Sequence, residues 1–429
     1  MRIAMLSVHS SPIAQLGGKE AGGMNVYVLE LSQELGRRGI DVDIFTRSQN
    51  PNAATAVALD HGVRVINLHT GPSVPYDKNW VLDYMPEFVS RVRCFADGQD
   101  LAYDLIHSHY WLSGQAALSL RRSWGVPVVH MFHTLGAMKN QVARGAEERE
   151  TGHRIAVERR LIESADTIVA ATPLDRAQMI WHYGADAERV RVVPCGVDLR
   201  RFHPRDMAAA RDMLDLPPPP HRLLLLVGRI EPLKGIDALI RAIALLVERR
   251  PPWRGALTAL VVGGHGEGER ARWNAEQRRL DTLRAELGVA DAVRFVGARA
   301  QDQLPLFYAA ADIITMPSHY ESFGLAALEG LACGRAVVAT DAGGPAFVIE
   351  DGVSGLLTPP DDAAALADRL ERLLGDDRLR AQMGQTAAER ARRFGWSSVA
   401  CDILRVYRET LEQSTLGRSV TLRPRAEAC

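Results

Sequence analysis

Two carboxylates eight residues apart, Glu321 and Glu329, frame the run Glu321-Ser322-Phe323-Gly324-Leu325-Ala326-Ala327-Leu328-Glu329. Gly324 is placed to open a helix, so Glu321 falls in a loop and Glu329 about a turn and a half into that helix. The first N–H groups of the helix are then free to bind an anion. One acid can accept hydroxyls of a sugar and the other those of a ribose; two solvated helix-surface carboxylates are the alternative. Upstream, Gly228-Arg229-Ile230-Glu231-Pro232-Leu233-Lys234-Gly235 sets Arg229 just past a strand and Lys234 at the start of a helix. Two cations there stand at the edge where open α/β sheets bind ligands. A departing diphosphate gains negative charge as its bond to a sugar breaks, and fixed cations stabilise that charge. A wet loop Arg and Lys is the alternative. Gly22-Gly23-Met24-Asn25, after a first strand ending at His9, is a third place where the backbone can approach a ligand closely, or a plain βα turn. Gly343-Gly344-Pro345 is a fourth. No G-x-G-x-x-G is present, and Gly263–Gly268 has the wrong spacing for one, which disfavours a nicotinamide dehydrogenase.

The elements that must carry these residues alternate. Expected strands in the first half are Arg2–Val8, Asp43–Phe45, Val63–Leu68, Leu105–Ser108, Val126–Met131, Thr167–Ala171 and Val190–Val193. Amphipathic stretches separate them, one with Met24, Val28, Leu31 and Leu35 at helical spacing. The alternation pauses over Pro194–Pro220, read as a linker and a short helix, then restarts. Strands are expected at Leu223–Val227, Leu257–Val262, Val293–Val296, Ile313–Met316, Ala336–Ala339 and Gly355–Leu357, with helices at Lys234–Glu248, Ala271–Leu287 and Gly324–Cys333. This predicts an α/β chain of two doubly wound, Rossmann-like domains facing a cleft. The expected division is residues 1–200, then 201–396, with a closing helix near 397–412 packing back on the first domain and a polar tail over 413–429.

A formal net charge of −1 gives no field for nucleic acid or an anionic membrane. The five scattered cysteines, without C-x-x-C, fit thiols in a reducing compartment, so a cytoplasmic setting is expected. Met1–Val8 is too short for a membrane span and leads into no cleavage site, so it reads as a strand.

G-R-x-x-x-x-K-G followed by E-S-F-G-L-x-x-L-E resembles the donor half of the family 4 glycosyltransferases, whose E-x7-E motif matches Glu321 and Glu329. The resemblance extends from Met1 to about Glu412. It implies a GT-B fold, a nucleotide-diphosphate sugar donor with a UDP-sugar favoured, and retention of anomeric configuration. It implies further that Arg229 and Lys234 contact the diphosphate, that the backbone of Ser322, Phe323, Gly324 and Leu325 meets phosphate or sugar, and that Glu329 meets the ribose. Gly22 and Gly23 fall at donor positions. No metal or cofactor is expected: no D-x-D cluster is poised as a metal clamp, and Arg229 with Lys234 can replace a metal's charge.

In the first half, Gly22–Val28, His107–Gly114 and His133–Lys139 are similar to a branch with small phosphorylated acceptors, including the inositol-phosphate transferases of mycothiol synthesis and, more distantly, sucrose-phosphate and sucrose synthases. The resemblance assigns the acceptor phosphate to Lys78, Tyr110, Thr134 and Arg154, puts His9 and Asn25 at acceptor positions, and places His133 near the reacting centre. A Lys point charge, an Arg fork and two hydroxyls make chemical sense as a phosphomonoester site. The alternatives are a solvated ion pair for Arg154, a wet loop lysine for Lys78, core aromatics for Tyr110-Trp111 and a structural histidine for His133. The Tyr76–Phe88 loop matches the branch little beyond Lys78. The expected partners are a nucleotide-sugar donor, a small phosphorylated acceptor and a second copy of the chain as a homodimer; nucleic acid and an integral membrane segment are not expected. The rival functions are a nucleotide-sugar epimerase or a phosphorylase on the same scaffold, transfer to a hexose phosphate, a family 4 transferase with a neutral or lipid-linked acceptor, and a non-catalytic sugar-nucleotide-binding protein.

Overall fold

The computed structural model describes residues 1–14, 22–73 and 78–421, with the side chains of 78, 79, 147 and 416–421 left aside. The chain divides into two compact units, one of Met1–Ile13, Met24–Val193 and Ser397–Cys429, the other of Ala14–Gly23 and Pro194–Trp396.

The first unit is built on eight strands: β1 (Arg2–Leu6), β2 (Asp41–Ser48), β3 (Ala56–Ala58), β4 (Val63–His69), β5 (Leu105–His109), β6 (Val128–Met131), β7 (Thr167–Ala170) and β8 (Val190–Val192). They lie in the order β3-β4-β2-β1-β5-β6-β7-β8. Every pairing is parallel except that of β3 with β4. Ile3, Ala4, Met5 and Leu6 have no exposed surface, as an unbroken apolar strand sandwiched between helices requires. From β1 the chain goes first to β2 on one side and later to β5 on the other. The gap between β1 and β5 is therefore the switch point, where open α/β sheets bind ligands beyond the strands' carboxyl ends.

The second unit carries β9 (Arg222–Val227), β10 (Leu257–Val262), β11 (Val293–Phe295), β12 (Ile313–Met316), β13 (Ala336–Thr340) and β14 (Leu356–Thr358), all parallel, in the order β11-β10-β9-β12-β13-β14. Its switch point lies between β9 and β12. The helix Ile236–Arg249 buries Ile236, Leu239, Ile240, Ile243, Leu246 and Val247, a stripe at helical spacing that seals one face of this sheet.

The final helix runs from Trp396 to Thr421, past the expected end at Glu412. The polar composition beyond Ser414, read as a tail, argues against burial and not against helicity. Val399, Ile403, Val406 and Tyr407 of this helix are buried, the Tyr407 hydroxyl is 2.7 Å from His107 Nδ1, and Thr410 is 2.7 Å from Thr167 of β7. The helix expected to start at Lys234 begins instead at Ile236. Lys234 ends the short 3-10 turn Pro232–Lys234, and Gly235 follows at φ +63°, which separates the two.

Candidate active site

In the first unit the segments beyond β1, β5 and β6 bring several of the expected acceptor residues together. β5 leads directly into the helix Tyr110–Trp124, and Tyr110 takes a φ of +71°. His133, just past β6, has φ +61°. A left-handed conformation is unfavourable for a bulky aromatic residue and concentrates at functional positions. The Tyr110 ring lies 4.5 Å from the His9 ring, centroid to centroid, and the Arg154 guanidinium is 4.9 Å from the Tyr110 centroid.

Arg154 comes from the helix Gly152–Ser164, whose N-cap Thr151 accepts the Arg154 backbone N–H at 3.2 Å. Its guanidinium is 1% exposed, so the wet surface ion pair is not what forms. Nη1 donates to the Tyr110 hydroxyl at 3.1 Å, and Nη2 to the Thr134 carbonyl and hydroxyl at 2.8 and 3.1 Å. Nε donates to Glu158 at 2.7 Å, and Nη1 also pairs with Glu150 at 2.8 Å. Glu158 has no exposed surface; it further accepts the Gly136 N–H at 3.0 Å and the Tyr183 hydroxyl at 2.5 Å. Burial, with Glu158 beside it, pushes the Tyr183 hydroxyl above its usual range, so it stays a donor. Tyr110, Thr134 and Arg154 are thus brought together on a buried carboxylate that fixes the arginine. The side chain of Lys78 lies outside the described residues. Asn25 commits its amide to Ser10 Oγ at 2.7 Å and the Ser11 carbonyl at 2.6 Å, which ties the loop after β1 to the following helix.

Behind these loops stands a group of histidines. His133 Nε2 is 3.0 Å from His109 Nδ1, and His130 Nδ1 is 2.8 Å from Ser108 Oγ. Burial drives His107 and His109 well below the usual histidine value, helped by their histidine neighbours, and lowers His130 and His133 to about 3. His133 is therefore neutral near pH 7: it can exchange hydrogen bonds with a substrate hydroxyl but holds no proton to deliver as an acid.

In the second unit β9 is followed by Gly228-Arg229. Arg229 is exposed, beside Glu231 at 3.0 Å. The turn carrying Lys234 is pressed onto the end of β12: a Cβ at Gly235 would stand 1.9 Å from the Pro317 carbonyl oxygen. Lys234 Nζ reaches Glu321 Oε2 at 2.5 Å, with both side chains about one-fifth exposed. Glu321 is held through its backbone, its N–H donating to the Ala342 carbonyl at 3.1 Å and its carbonyl accepting the Gly344 N–H at 2.7 Å. The glycines are required there, because a Cβ at Gly344 would lie 2.2 Å from Phe323 Cα. Gly324, at φ +95°, caps the helix Leu325–Ala332, and Phe323 is buried. The Ser322 hydroxyl is buried without a hydrogen-bond partner. Glu329 accepts the Tyr308 hydroxyl at 2.7 Å and the Gln301 amide at 2.9 Å. Lys234 and Glu321 are therefore in contact, whereas Glu329, on the helix Leu325–Ala332, belongs to a separate polar cluster with Tyr308 and Gln301. Gly22 and Gly23 lie at the start of the helix Gly23–Gly36, next to residues outside those described.

Sequence reasoning missed Lys139, Glu150, Glu158, Tyr183, Gln301 and Tyr308. The spacing of Arg154 and Glu158 at i, i+4 was a usable signal, since those positions share one face of the helix, while Glu150 stands just before it.

Among the described residues no group of His, Cys, Asp and Glu fits a metal ion, and no helix is long and apolar enough to cross a membrane. The chain matches the family described as Glycosyltransferase Family 4 over residues 21–201 and that described as Glycosyl transferases group 1 over residues 216–390. It is 43% identical over 413 residues to D-inositol 3-phosphate glycosyltransferase 2 of Catenulispora acidiphila, covering 96% of this chain and 95% of that protein. It is 42% identical over 412 residues to D-inositol 3-phosphate glycosyltransferase of Saccharomonospora viridis, covering 96% and 94%. Among solved structures, sucrose-phosphate synthase from Thermosynechococcus elongatus superposes with a TM-score of 0.87 at 34% identity, over 96% of this chain and 99% of that one. WaaG, a glycosyltransferase of lipopolysaccharide biosynthesis, shares the fold at a TM-score of 0.69 and 20% identity, over 94% and 99%. With two parallel-sheet units of the GT-B type and these relatives along nearly its whole length, the chain belongs to the family 4 glycosyltransferases.

Proposed function

We propose that this glycosyltransferase moves a sugar from a nucleoside-diphosphate sugar, a UDP-sugar foremost, to a hydroxyl of a small phosphorylated acceptor such as an inositol phosphate, with retention of configuration. The observation that carries the acceptor reading is the convergence of Arg154, Tyr110 and Thr134 beyond the carboxyl ends of β5 and β6. Two hydroxyls and a rigid guanidinium suit the three oxygens of a phosphomonoester. The inositol-phosphate relatives, above 40% identical, support the same acceptor class.

On this reading Lys234 and Arg229 bind the donor diphosphate, Glu321 takes hydroxyls of the transferred sugar and Glu329 those of the ribose. Gly22, Gly23 and the Ser322–Leu325 backbone approach the donor closely, while His9 and Asn25 shape the acceptor side. The acceptor hydroxyl attacks the anomeric carbon on the face from which the diphosphate departs. The C–O bond to phosphate breaks as the new glycosidic bond forms, and the departing phosphate oxygen takes the hydroxyl proton. Lys234 and Arg229 stabilise the charge on that oxygen, and neutral His133 orients a hydroxyl near the reacting carbon.

Sucrose-phosphate-synthase-like transfer to a hexose phosphate is the second reading, favoured by the structural likeness at 34% identity. Incubation with a set of nucleotide sugars and matched inositol and hexose phosphates, following nucleotide release and the anomeric coupling of the product by NMR, separates the two. Release with none of the phosphorylated acceptors, or an inverted product, contradicts the proposal.

A further inference from the structure

The geometry points to Glu150 as an internal stand-in for the acceptor's phosphate, held by Lys139 and Arg154 and displaced when a phosphorylated acceptor binds. This rests on the acceptor reading above and adds its regulation, with Lys139 as a further phosphate-binding cation.

One carboxylate oxygen of Glu150, Oε1, meets both Lys139 Nζ and Arg154 Nη1, the latter at 2.8 Å. The same Nη1 donates to the Tyr110 hydroxyl, so Glu150 sits on the donor set assigned to phosphate. With it in place all five N–H groups of Arg154 are occupied: Nε by Glu158, Nη1 by Tyr110 and Glu150, Nη2 by the Thr134 carbonyl and hydroxyl. A phosphate can take an N–H of Arg154 only by replacing one of these acceptors.

Glu150 is the one built to leave. Glu158 has no exposed surface and is locked by Gly136 and Tyr183. The Thr134 oxygens belong to the loop that forms the site. Glu150 is 10% exposed and precedes the helix Gly152–Ser164, in a stretch whose flanking residues Arg149 and Thr151 are extended. Its backbone is anchored independently of its carboxylate, the N–H donating to Asn140 Oδ1 at 2.7 Å and the carbonyl accepting Asn140 Nδ2 at 3.2 Å. The carboxylate can therefore swing away while the segment stays.

Charge requires the same exchange. Among the described side chains Lys139 and Arg154 are balanced by Glu150 and Glu158, so these four are formally neutral together. A phosphomonoester near pH 7 adds close to two negative charges. With Glu150 retained, that charge would meet a carboxylate on its own ligands; with Glu150 swung out, the cluster carries a net positive charge to receive it. A neutral acceptor cannot displace Glu150, so the contact also acts as a filter against unphosphorylated compounds.

The test uses the full chain, with inorganic phosphate as the probe and its Kd read by calorimetry. Glu150→Gln is expected to tighten phosphate about tenfold or more, the scale of one charge-assisted contact no longer contested, and Lys139→Gln to weaken it by a similar factor. Glu150→Asp, which shortens the reach but keeps the charge, is expected to fall between wild type and Glu150→Gln and serves alone should the Gln variant melt early. Phosphate affinity unchanged or weaker in both Glu150 variants overturns the inference. Tighter phosphate in these variants together with equal use of phosphorylated and free acceptors by wild type would support the displaced carboxylate and reject only the acceptor assignment.

Discussion

Replacing Arg154 by alanine is expected to destabilise the first unit by about 3–5 kcal/mol, the scale seen when one partner of a buried ion pair is removed. The guanidinium is 1% exposed and meets the fully buried Glu158 at 2.7 Å. Without it, Glu158 keeps its contacts to the Gly136 N–H and Tyr183 hydroxyl but loses its counter-charge. For a unit of roughly 150–250 residues each kcal/mol moves Tm by about 2–4 °C, so a fall on the order of 10 °C is expected in a thermal melt. The companion double variant Arg154→Ala/Glu158→Gln removes the stranded charge and is expected to recover at least about 1 kcal/mol, a coupling that independent surface residues would not show. Arg154→Ala melting within a degree or two of wild type would refute the buried pair. The same reasoning makes Arg154→Ala a poor probe of acceptor binding, because a loss of activity would mix unfolding with lost contacts. Tyr110→Phe and Thr134→Val remove hydroxyls while leaving the pair with Glu158 in place.

Lys234 is partly exposed on a short turn and is proposed to stabilise charge on the leaving group, so Lys234→Ala is expected to lower kcat by about two to three decades with little change in melting; wild-type-like turnover would remove it from the diphosphate site. Acid should destabilise the first unit early. His107, His109 and His130 have no exposed surface and their folded pKa values lie below the ordinary 6.5, about 3 for His130. Above pH 6.5 both folded and unfolded states are neutral and this contribution is fully present. As pH falls below 6.5 the unfolded chain takes up protons that the folded one refuses, and each such histidine removes about 1.4 kcal/mol per pH unit, for His130 down to about pH 3. Melting temperatures measured from pH 8 to pH 5 should hold and then fall; a flat profile down to pH 5 would show that these histidines are not held neutral.

The strands that position the site were legible because they are short apolar or buried runs set between helical stretches. The expected strands Arg2–Val8 and Leu105–Ser108 correspond to β1 (Arg2–Leu6) and β5 (Leu105–His109), whereas β3 was not read, being only a three-residue, largely exposed antiparallel edge, Ala56–Ala58. The helix after β9 was read to start at Lys234; the left-handed Gly235 sets the true start at Ile236. The helix expected over Ala271–Leu287 begins at Ala275, where Asn274 supplies the cap by accepting the Gln277 N–H at 2.7 Å. The meeting of Tyr110, Thr134 and Arg154 follows from no local rule. They lie on three different elements, and only the resemblance united them before the fold did. Glu150 and Glu158 escaped notice because charged residues in an Arg- and Glu-rich helix read as a solvated face, and burial of Glu158 is decided by Gly136 and Tyr183, far along the chain.

The most direct test of the central claim is kcat/KM for an inositol phosphate against free inositol with one donor, in wild type, Tyr110→Phe and Thr134→Val. A charge-assisted hydrogen bond contributes about 1.5–3 kcal/mol, so losing the several made to a phosphate should cost wild type on the order of three decades with the free acceptor. Each hydroxyl-deleting variant should narrow that ratio by about tenfold while leaving donor affinity in place. Equal kcat/KM for the two acceptors in wild type, or a ratio that neither variant changes, would contradict a phosphate site at Arg154, Tyr110 and Thr134.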